Sequence, residues 1–240
     1  MIKILLYLLY LGHILGDFYF LLENRSENRE HLSKRFFIYG GSLLICAMPV
    51  MNIPIFASVL TVTISRQVLF CIKCKLEEKF PLLGIKSKIF FFDQISQLLM
   101  IALGVYFVWR TTDPVGFLIP MDHIVSATNF EWALSWILII LVICKPVSTM
   151  VKIILAPYLT EIKKDDLGIP NAGALIGMLE RVFILMMVSA NQYSAIGFVL
   201  TAKSIARYKR ISDDPKFSEY YLLGTLLSSL SVIILYHTIF

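Results

Sequence analysis

Residues 1–22, MIKILLYLLYLGHILGDFYFLL, decide the class of fold. A bilayer core about 30 Å thick needs roughly 20 apolar residues in a helix, and this stretch is long enough to supply them. No small-residue cleavage site closes it, so the stretch predicts a retained first membrane helix rather than a secretory signal. His13 and Asp17 interrupt it four residues apart and therefore share one helix face. We expect that face to point into a helix bundle, because an ionisable group against lipid is costly.

The rest of the chain has the same apolar character. Of its 240 residues, 58% are hydrophobic and 16% are charged, and the mean hydropathy is +0.75. The composition therefore predicts an all-α, polytopic transmembrane helix bundle that forms one integral membrane domain over residues 1–240. We attribute the net charge of +5 to Lys and Arg in cytoplasmic loops. Membrane lipid is then the expected partner, and nucleic acid is not.

The pattern of apolar stretches predicts eight membrane segments with both termini outside, and seven is the alternative count. Pro49, Asn52 and Pro54 interrupt the second stretch. The positive-inside rule places the basic loops before and after that stretch in the cytoplasm, which requires an even number of crossings between them and favours a helical hairpin. The predicted segments are Ile2–Leu22, Phe36–Pro49, Ile53–Cys71, Ile89–Trp109, Trp132–Leu155, Ala172–Ala190, Ser194–Tyr208 and Tyr220–Ile239.

Polar and ionisable residues inside these segments are the candidate functional residues. Two pairs besides His13 and Asp17 have the spacing that places both members on one helix face. Under the predicted topology most of the candidates fall in the cytoplasmic half of the membrane, where one polar centre would hold them at the least cost. The candidates are His13, Asp17, Asp93, Gln97, Glu180, Arg181, Lys203, Arg207 and Glu219.

Three functions remain open at this point. In a scaffold or sensor the charges only join helices, with Glu180 pairing with Lys203 or Arg207 and Asp17 pairing with Arg181. In a membrane hydrolase, His13, Asp17 and Asp93 would bind a divalent metal that activates water. In a transporter the same charges would carry protons or bind a polar solute. The sequence favours the scaffold or sensor and leaves open whether the protein is an enzyme.

Gly173 and Gly177 form a G-x-x-x-G pattern in the stretch NAGALIGMLER. In an apolar helix this spacing lets a second helix approach closely. The pattern is compatible with packing inside the bundle and with a homo-oligomer formed through this face.

Five stretches together resemble a bacterial membrane family, the domain-of-unknown-function family 3307. They are HILGDF, FFFDQISQLL, AGALIGMLER, LTAKSIARYK and EYYLLGTLLS, and the block Ala172–Ser228 carries the strongest match. The resemblance implies a multi-pass protein of the inner (cytoplasmic) membrane without an established activity. It also implies a polar centre made of Glu180, Arg181, Lys203, Arg207 and Glu219.

The resemblance further implies histidines in the first half of the chain that this sequence lacks. One of those positions is Gln97 here, and two others lie near Arg35 and Arg66. A metal site formed by such histidines in relatives would therefore be incomplete in this chain.

Overall fold

The structure is a computed structural model that describes residues 2–21, 32–79, 83–111, 128–159 and 172–240. Within these residues all regular structure is helical, which confirms the all-α prediction. The contacts divide the chain into two compact units, Met1–Leu138 and Ile139–Phe240, and each is described by itself. A single membrane domain over the whole chain stays a prediction.

The first unit begins with helix α1, Ile2–Ile14, which continues as a π-helical turn over Leu15–Phe20. Helices α2, Leu32–Ala47, α3, Ile53–Lys79, and α4, Leu83–Thr111, follow, and α5, Thr128–Cys144, starts in this unit. A short 3₁₀ turn over Met48–Val50 separates α2 from α3. The Asn52 side-chain oxygen accepts from the Ile55 N–H at 2.9 Å and so caps the start of α3. The predicted break between these two segments is confirmed.

Close packing of α1 on α2 depends on two glycines four residues apart. A Cβ built at Gly12 would lie 2.9 Å from Leu43 Cα, and one at Gly16 would lie 2.9 Å from Tyr39 Cδ2. A Cβ at Gly173, by contrast, would meet nothing within 4 Å. The G-x-x-x-G pattern that brings described helices together is therefore Gly12 and Gly16, and a homo-oligomer through Gly173 and Gly177 stays a prediction.

The second unit contains the end of α5 and five further helices. They are α6, Pro146–Leu159, α7, Ala172–Ser189, α8, Tyr193–Ala206, α9, Tyr208–Asp213, and α10, Pro215–Ile239. Helix α10 packs on α6 and α7. Helix α7 ends with Asn191 at a positive φ of 56° and with the Gln192 N–H donating to the Met187 carbonyl at 2.8 Å, a Schellman arrangement that reverses the chain into α8.

The described parts of the eight predicted segments are largely helical, although Trp132–Leu155 is divided between α5 and α6. The count of eight crossings is not confirmed, because five helical stretches among the described residues are long and apolar enough to cross a membrane. Helices α2 and α8, which contain two of the predicted segments, have only 16 and 14 residues, and the segment on α7 is not among the five. The five are Ile2–Phe20, Ile53–Leu76, Ser87–Thr111, Asn129–Tyr158 and Pro215–Ile239.

Many apolar side chains of these helices are exposed, whereas several of their polar side chains are buried. On α4, for example, Phe92, Leu99 and Leu103 are more than half exposed, whereas Asp93 and Gln97 are buried. This arrangement is the one expected for helices that face lipid. The basic stretch after the third predicted segment is not a long loop as predicted, because α3 continues to Lys79 and α4 begins at Leu83. Most of residues 23–35, 110–131 and 156–171, which separate predicted segments, lies outside the described residues.

Candidate functional site

The first unit contains a buried polar cluster, named here the Arg66 cluster, made of Asp17, Arg66, Asp93 and Gln94. Arg66 Nη2 and Nε donate to Asp17 Oδ1 at 2.6 and 3.2 Å, and Arg66 Nη1 donates to Asp93 Oδ1 at 2.9 Å. Gln94 Nε2 donates to Asp17 Oδ2 at 3.1 Å. The two carboxylates and the guanidinium are each more than nine-tenths buried. One guanidinium thus joins carboxylates from two other helical elements.

The local fold brings these side chains together. Asp17 lies in the π-helical turn, where the Leu21 N–H donates to the Gly16 carbonyl at 3.2 Å and the turn is one residue wider than in an α-helix. Arg66 and Asp93 come from α3 and α4, which pack along each other. π-Helical turns are frequent at functional sites, so this turn marks the Asp17 region as more than ordinary helix packing.

A second group of side chains meets at the hydroxyl of Tyr39. His13 Nδ1 lies 2.9 Å from Tyr39 Oη, and Gln97 Nε2 donates to the same oxygen at 3.0 Å. All three side chains are at least 98% buried. The predicted inward orientation of His13 and Asp17 is confirmed, since both are buried, and Tyr39 is a partner that the sequence did not indicate.

The charges around Arg66 balance. Lys73 Nζ lies 3.6 Å from Asp93 Oδ2, so two cations face the carboxylates of Asp17 and Asp93. Burial of a charge costs several kcal/mol unless it is paired, and here each carboxylate has a basic partner. Asp93 Oδ2 accepts no hydrogen bond from the described residues, so the Lys73 contact is purely an ion pair at this distance.

His13, Asp17 and Asp93 are not arranged as the predicted metal site requires. No group of three or more His, Cys, Asp or Glu side chains that could hold a metal ion occurs among the described residues. The guanidinium of Arg66 lies between the two carboxylates instead. A cation is therefore already present where a divalent metal would have to bind.

In the second unit, Lys203 on α8 pairs with Glu180 on α7. Lys203 Nζ donates to Glu180 Oε2 at 2.6 Å and to Thr225 Oγ1 at 3.3 Å. The same ammonium lies 5.2 Å from the ring centroid of Tyr221, within range of a cation–π contact. The predicted pairing of Glu180 with Lys203 is confirmed, and it connects α7, α8 and α10.

Arg181 has a different environment, with neutral acceptors on other elements. Its Nε donates to the Ile143 carbonyl at 2.7 Å, its Nη1 to Ser228 Oγ at 3.2 Å and its Nη2 to Ser148 Oγ. The α-helix breaks at Lys145 because Pro146 has no N–H to continue the ladder. Arg181 therefore binds a carbonyl next to a helix break, as neighbouring side chains do when proline interrupts a membrane helix.

The candidate residues lie in two groups, one in each unit, and a single polar centre that joins them stays a prediction. His13, Asp17, Asp93 and Gln97 belong to the first unit, whereas Glu180, Arg181 and Lys203 belong to the second. The predicted pairing of Asp17 with Arg181 is wrong, since Asp17 is bonded to Arg66. The other two candidates, Arg207 and Glu219, are exposed.

Sequence reasoning missed Arg66 as a member of the site, although a signal was present. Arg66 is an ionisable residue inside the predicted segment Ile53–Cys71, which is the criterion that selected the other candidates. Ser148 and Ser228 gave no such signal, because serine is common inside membrane helices.

The fold and the two clusters define a class: an all-helical protein with apolar helices suited to a membrane and with buried, paired charges. Within that class the chain belongs to the domain-of-unknown-function family 3307, whose model, described as "Protein of unknown function", matches residues 4–126. The match lies in the first half of the chain, so the expectation that Ala172–Ser228 carries the strongest similarity is wrong. No curated protein and no solved structure matches the chain.

Proposed function

We propose that the protein is a multi-pass component of the bacterial inner membrane that acts as a non-catalytic scaffold or sensor, in which the buried charges join helices. The observation that supports this proposal is the position of Arg66, whose single guanidinium binds the carboxylates of both Asp17 and Asp93. Charge-assisted hydrogen bonds of this kind fix helix orientation. The Oδ1 atoms of Asp17 and Asp93, which Arg66 holds in this way, are poorly placed to act as bases or metal ligands.

The orientation of the Arg66 cluster toward the cytoplasm is part of the proposal. The cluster lies on the part of α3 and α4 that leads to their connection, where Lys73, Lys75, Lys79 and Lys88 are found. Basic residues at helix ends favour the cytoplasmic side. In a cysteine-free background, Lys75→Cys should react with a membrane-impermeant maleimide only after the cells are permeabilised. Labelling in intact cells would show that this end of the helices faces the outside instead.

The scaffold role is tested by removing every charge of the cluster while keeping its shape. The variant combines Arg66→Met, Asp17→Asn and Asp93→Asn and replaces the genomic copy. If the charges only join helices, the variant should accumulate in the membrane and support the same phenotype as wild type in a comparison with a deletion strain. Normal accumulation with a deletion phenotype would contradict the scaffold role and favour chemistry at the cluster.

Proton transfer is a second candidate, supported by one observation. Asp93 Oδ2 has no hydrogen-bond donor among the described residues, and the nearby Lys73 side chain is 21% exposed. A carboxylate beside a partly exposed base is a plausible route for protons between the surface and a buried network. Proteoliposomes loaded with a pH-sensitive dye should then show a proton flux that Asp93→Asn abolishes. Equal traces for protein-containing and empty liposomes would reject this candidate.

The metal-dependent hydrolase has the least support, because Arg66 lies between the two carboxylates that would be ligands. Metal analysis of purified wild-type protein and of His13→Ala tests it directly. We expect no stoichiometric divalent metal in either preparation. A stoichiometric metal in wild type that is lost in His13→Ala would restore the hydrolase as the leading function.

A further inference from the structure

A small pocket lies next to the Arg66 cluster, near the start of α2. Arg35, Tyr39, Arg66 and Gln67 line it together with the rings of two phenylalanines. The pocket is partly open to the surface, and its volume of about 10 Å³ is room for one water-sized group. The pocket thus combines two guanidinium groups with an apolar wall in a space that admits a single oxygen atom.

The charged group of Arg35 lies over an aromatic ring. Its guanidinium carbon lies 3.9 Å from the ring centroid of Phe70, within the range of a cation–π contact. A guanidinium stacked on a ring face keeps its N–H groups directed along its edges, where they can bind an anion. Among the described residues, Arg35 forms no ion pair with a carboxylate.

Arg66 also has donors to spare. An arginine side chain carries five N–H donors, and three of those of Arg66 are used by Asp17 and Asp93. Two N–H groups therefore remain on a side chain that is only 6% exposed and that lines the pocket. A buried donor without an acceptor is costly, so an acceptor in the pocket would be stabilising.

The local charge count gives the sign of a group that would suit the pocket. Arg35, Arg66 and Lys73 contribute three positive charges around this region, and Asp17 and Asp93 contribute two negative charges. Among these five side chains one positive charge is left over. A monoanion in the pocket would restore the balance that Arg66, Lys73, Asp17 and Asp93 have without Arg35.

We propose that the pocket binds one oxygen of a phosphate monoanion, with Arg35 and Arg66 as its ligands and the rest of the phosphate outside the pocket. The phosphodiester of an anionic membrane lipid is the favoured source, because Phe20 and Phe37, which adjoin pocket residues in the sequence, are 51% and 73% exposed and can contact acyl chains. The site goes beyond the scaffold role, because Arg66 belongs to both the pocket and the Arg66 cluster, whereas Arg35 belongs to the pocket alone.

The test measures the thermal unfolding midpoint of the full-length protein in detergent during titration with phosphatidylglycerol, and with phosphatidylcholine as the neutral comparison. A second arm compares inorganic phosphate with chloride at equal ionic strength. Stabilisation by phosphatidylglycerol alone assigns the site to a lipid headgroup. Stabilisation by inorganic phosphate as well assigns it to phosphate groups in general, and both outcomes support the site. Equal effects of the two lipids, with no effect of phosphate, would overturn it.

Two variants separate binding at the pocket from attraction to the basic surface. Arg35→Gln removes the proposed ligand, and Lys34→Gln removes one charge from the neighbouring, exposed position. The concentration of phosphatidylglycerol for half-maximal stabilisation should rise about tenfold or more in Arg35→Gln, as expected for loss of a charge-assisted hydrogen bond, and stay unchanged in Lys34→Gln. Equal shifts in the two variants would overturn the proposal.

If Arg35→Gln does not fold, Arg35→Lys replaces it, because lysine keeps the charge but cannot reproduce the planar guanidinium. The half-maximal concentration should then rise several-fold relative to wild type. An unchanged value would overturn the proposal.

Discussion

Replacing Arg66 with methionine should destabilise the first unit more than any exposed charge removal. Methionine keeps much of the length of arginine but leaves the carboxylates of Asp17 and Asp93 without their guanidinium. Both carboxylates are more than nine-tenths buried, so water cannot replace the lost partner. The variant therefore tests whether the Arg66 cluster holds the helices together.

The expected magnitude follows from the burial of the pair. Removing one partner of a buried ion pair costs about 3–5 kcal/mol. Two carboxylates lose the same partner here, which raises the cost, whereas Lys73 at 3.6 Å from Asp93 offsets part of it. For a chain of this size the loss corresponds to a decrease of roughly 6–20 °C in the unfolding midpoint.

The assay is thermal unfolding of the purified protein in detergent, followed by circular dichroism. Arg110→Met is the matched control, since Arg110 is exposed on α4 and its loss should change the free energy of unfolding by less than about 0.5 kcal/mol. The triple variant with Asp17→Asn and Asp93→Asn should recover most of the stability lost by Arg66→Met. If Arg66→Met and Arg110→Met unfold at the same temperature, or the triple variant is as unstable as the single one, the Arg66 cluster does not hold the helices together.

Three further predictions concern packing and the second unit. Gly16→Ala should lower the free energy of unfolding by about 1–3 kcal/mol, because its Cβ would lie 2.5 Å from a serine oxygen of α2. Gly173→Ala should not lower it, because a Cβ there would meet nothing within 4 Å. Equal thermal unfolding midpoints for the two variants would contradict this prediction. Glu180→Lys and Lys203→Glu should each reduce the amount of folded protein, as measured by fluorescence size-exclusion chromatography, and the double swap should restore it. If the double swap does not restore it, the loss of folded protein in the single variants is not caused by the loss of this ion pair. Arg181→Lys keeps the charge but loses the three-way contact, so its unfolding midpoint should fall by several degrees, and an unchanged midpoint would remove the proposed role of the guanidinium.

The sequence predicted the elements of this fold well because apolar length and proline breaks are local signals. The break at Pro49 and Asn52 appears where expected, and the predicted inward face of His13 is buried against Tyr39. The number of crossings was harder to predict, since it depends on whether a short helix such as α2 spans the bilayer or only packs on its neighbours. The sequence shows the length of each apolar stretch but not whether a short helix spans the bilayer.

The partners of the buried charges were less predictable than their burial. Glu180 and Lys203 lie on consecutive helices joined by a short turn, so few partners compete and the pairing followed from topology. Asp17 pairs with Arg66 across 49 positions of sequence, and nothing in the spacing distinguishes Arg66 from Arg181 as its partner. Long-range pairings of this kind depend on which helices pack together, which one sequence does not specify.

The buried arginines Arg66 and Arg181 are stabilised in different ways, and the two units therefore differ in how they respond to loss of a buried charge. Arg66 is matched by carboxylates, so neutralising Arg66, Asp17 and Asp93 together leaves no fully buried charge uncompensated, and only the partly exposed Lys73 loses its partner. Arg181 is held by a backbone carbonyl and by serine hydroxyls on other elements, without a carboxylate acceptor among the described contacts. Neutral substitutions in the first unit can therefore be combined to rescue one another. In the second unit, loss of the Arg181 guanidinium leaves the Ile143 carbonyl, beside the break at Pro146, without its side-chain donor. Recovering the lost stability in that unit would therefore require repairing the helix break as well.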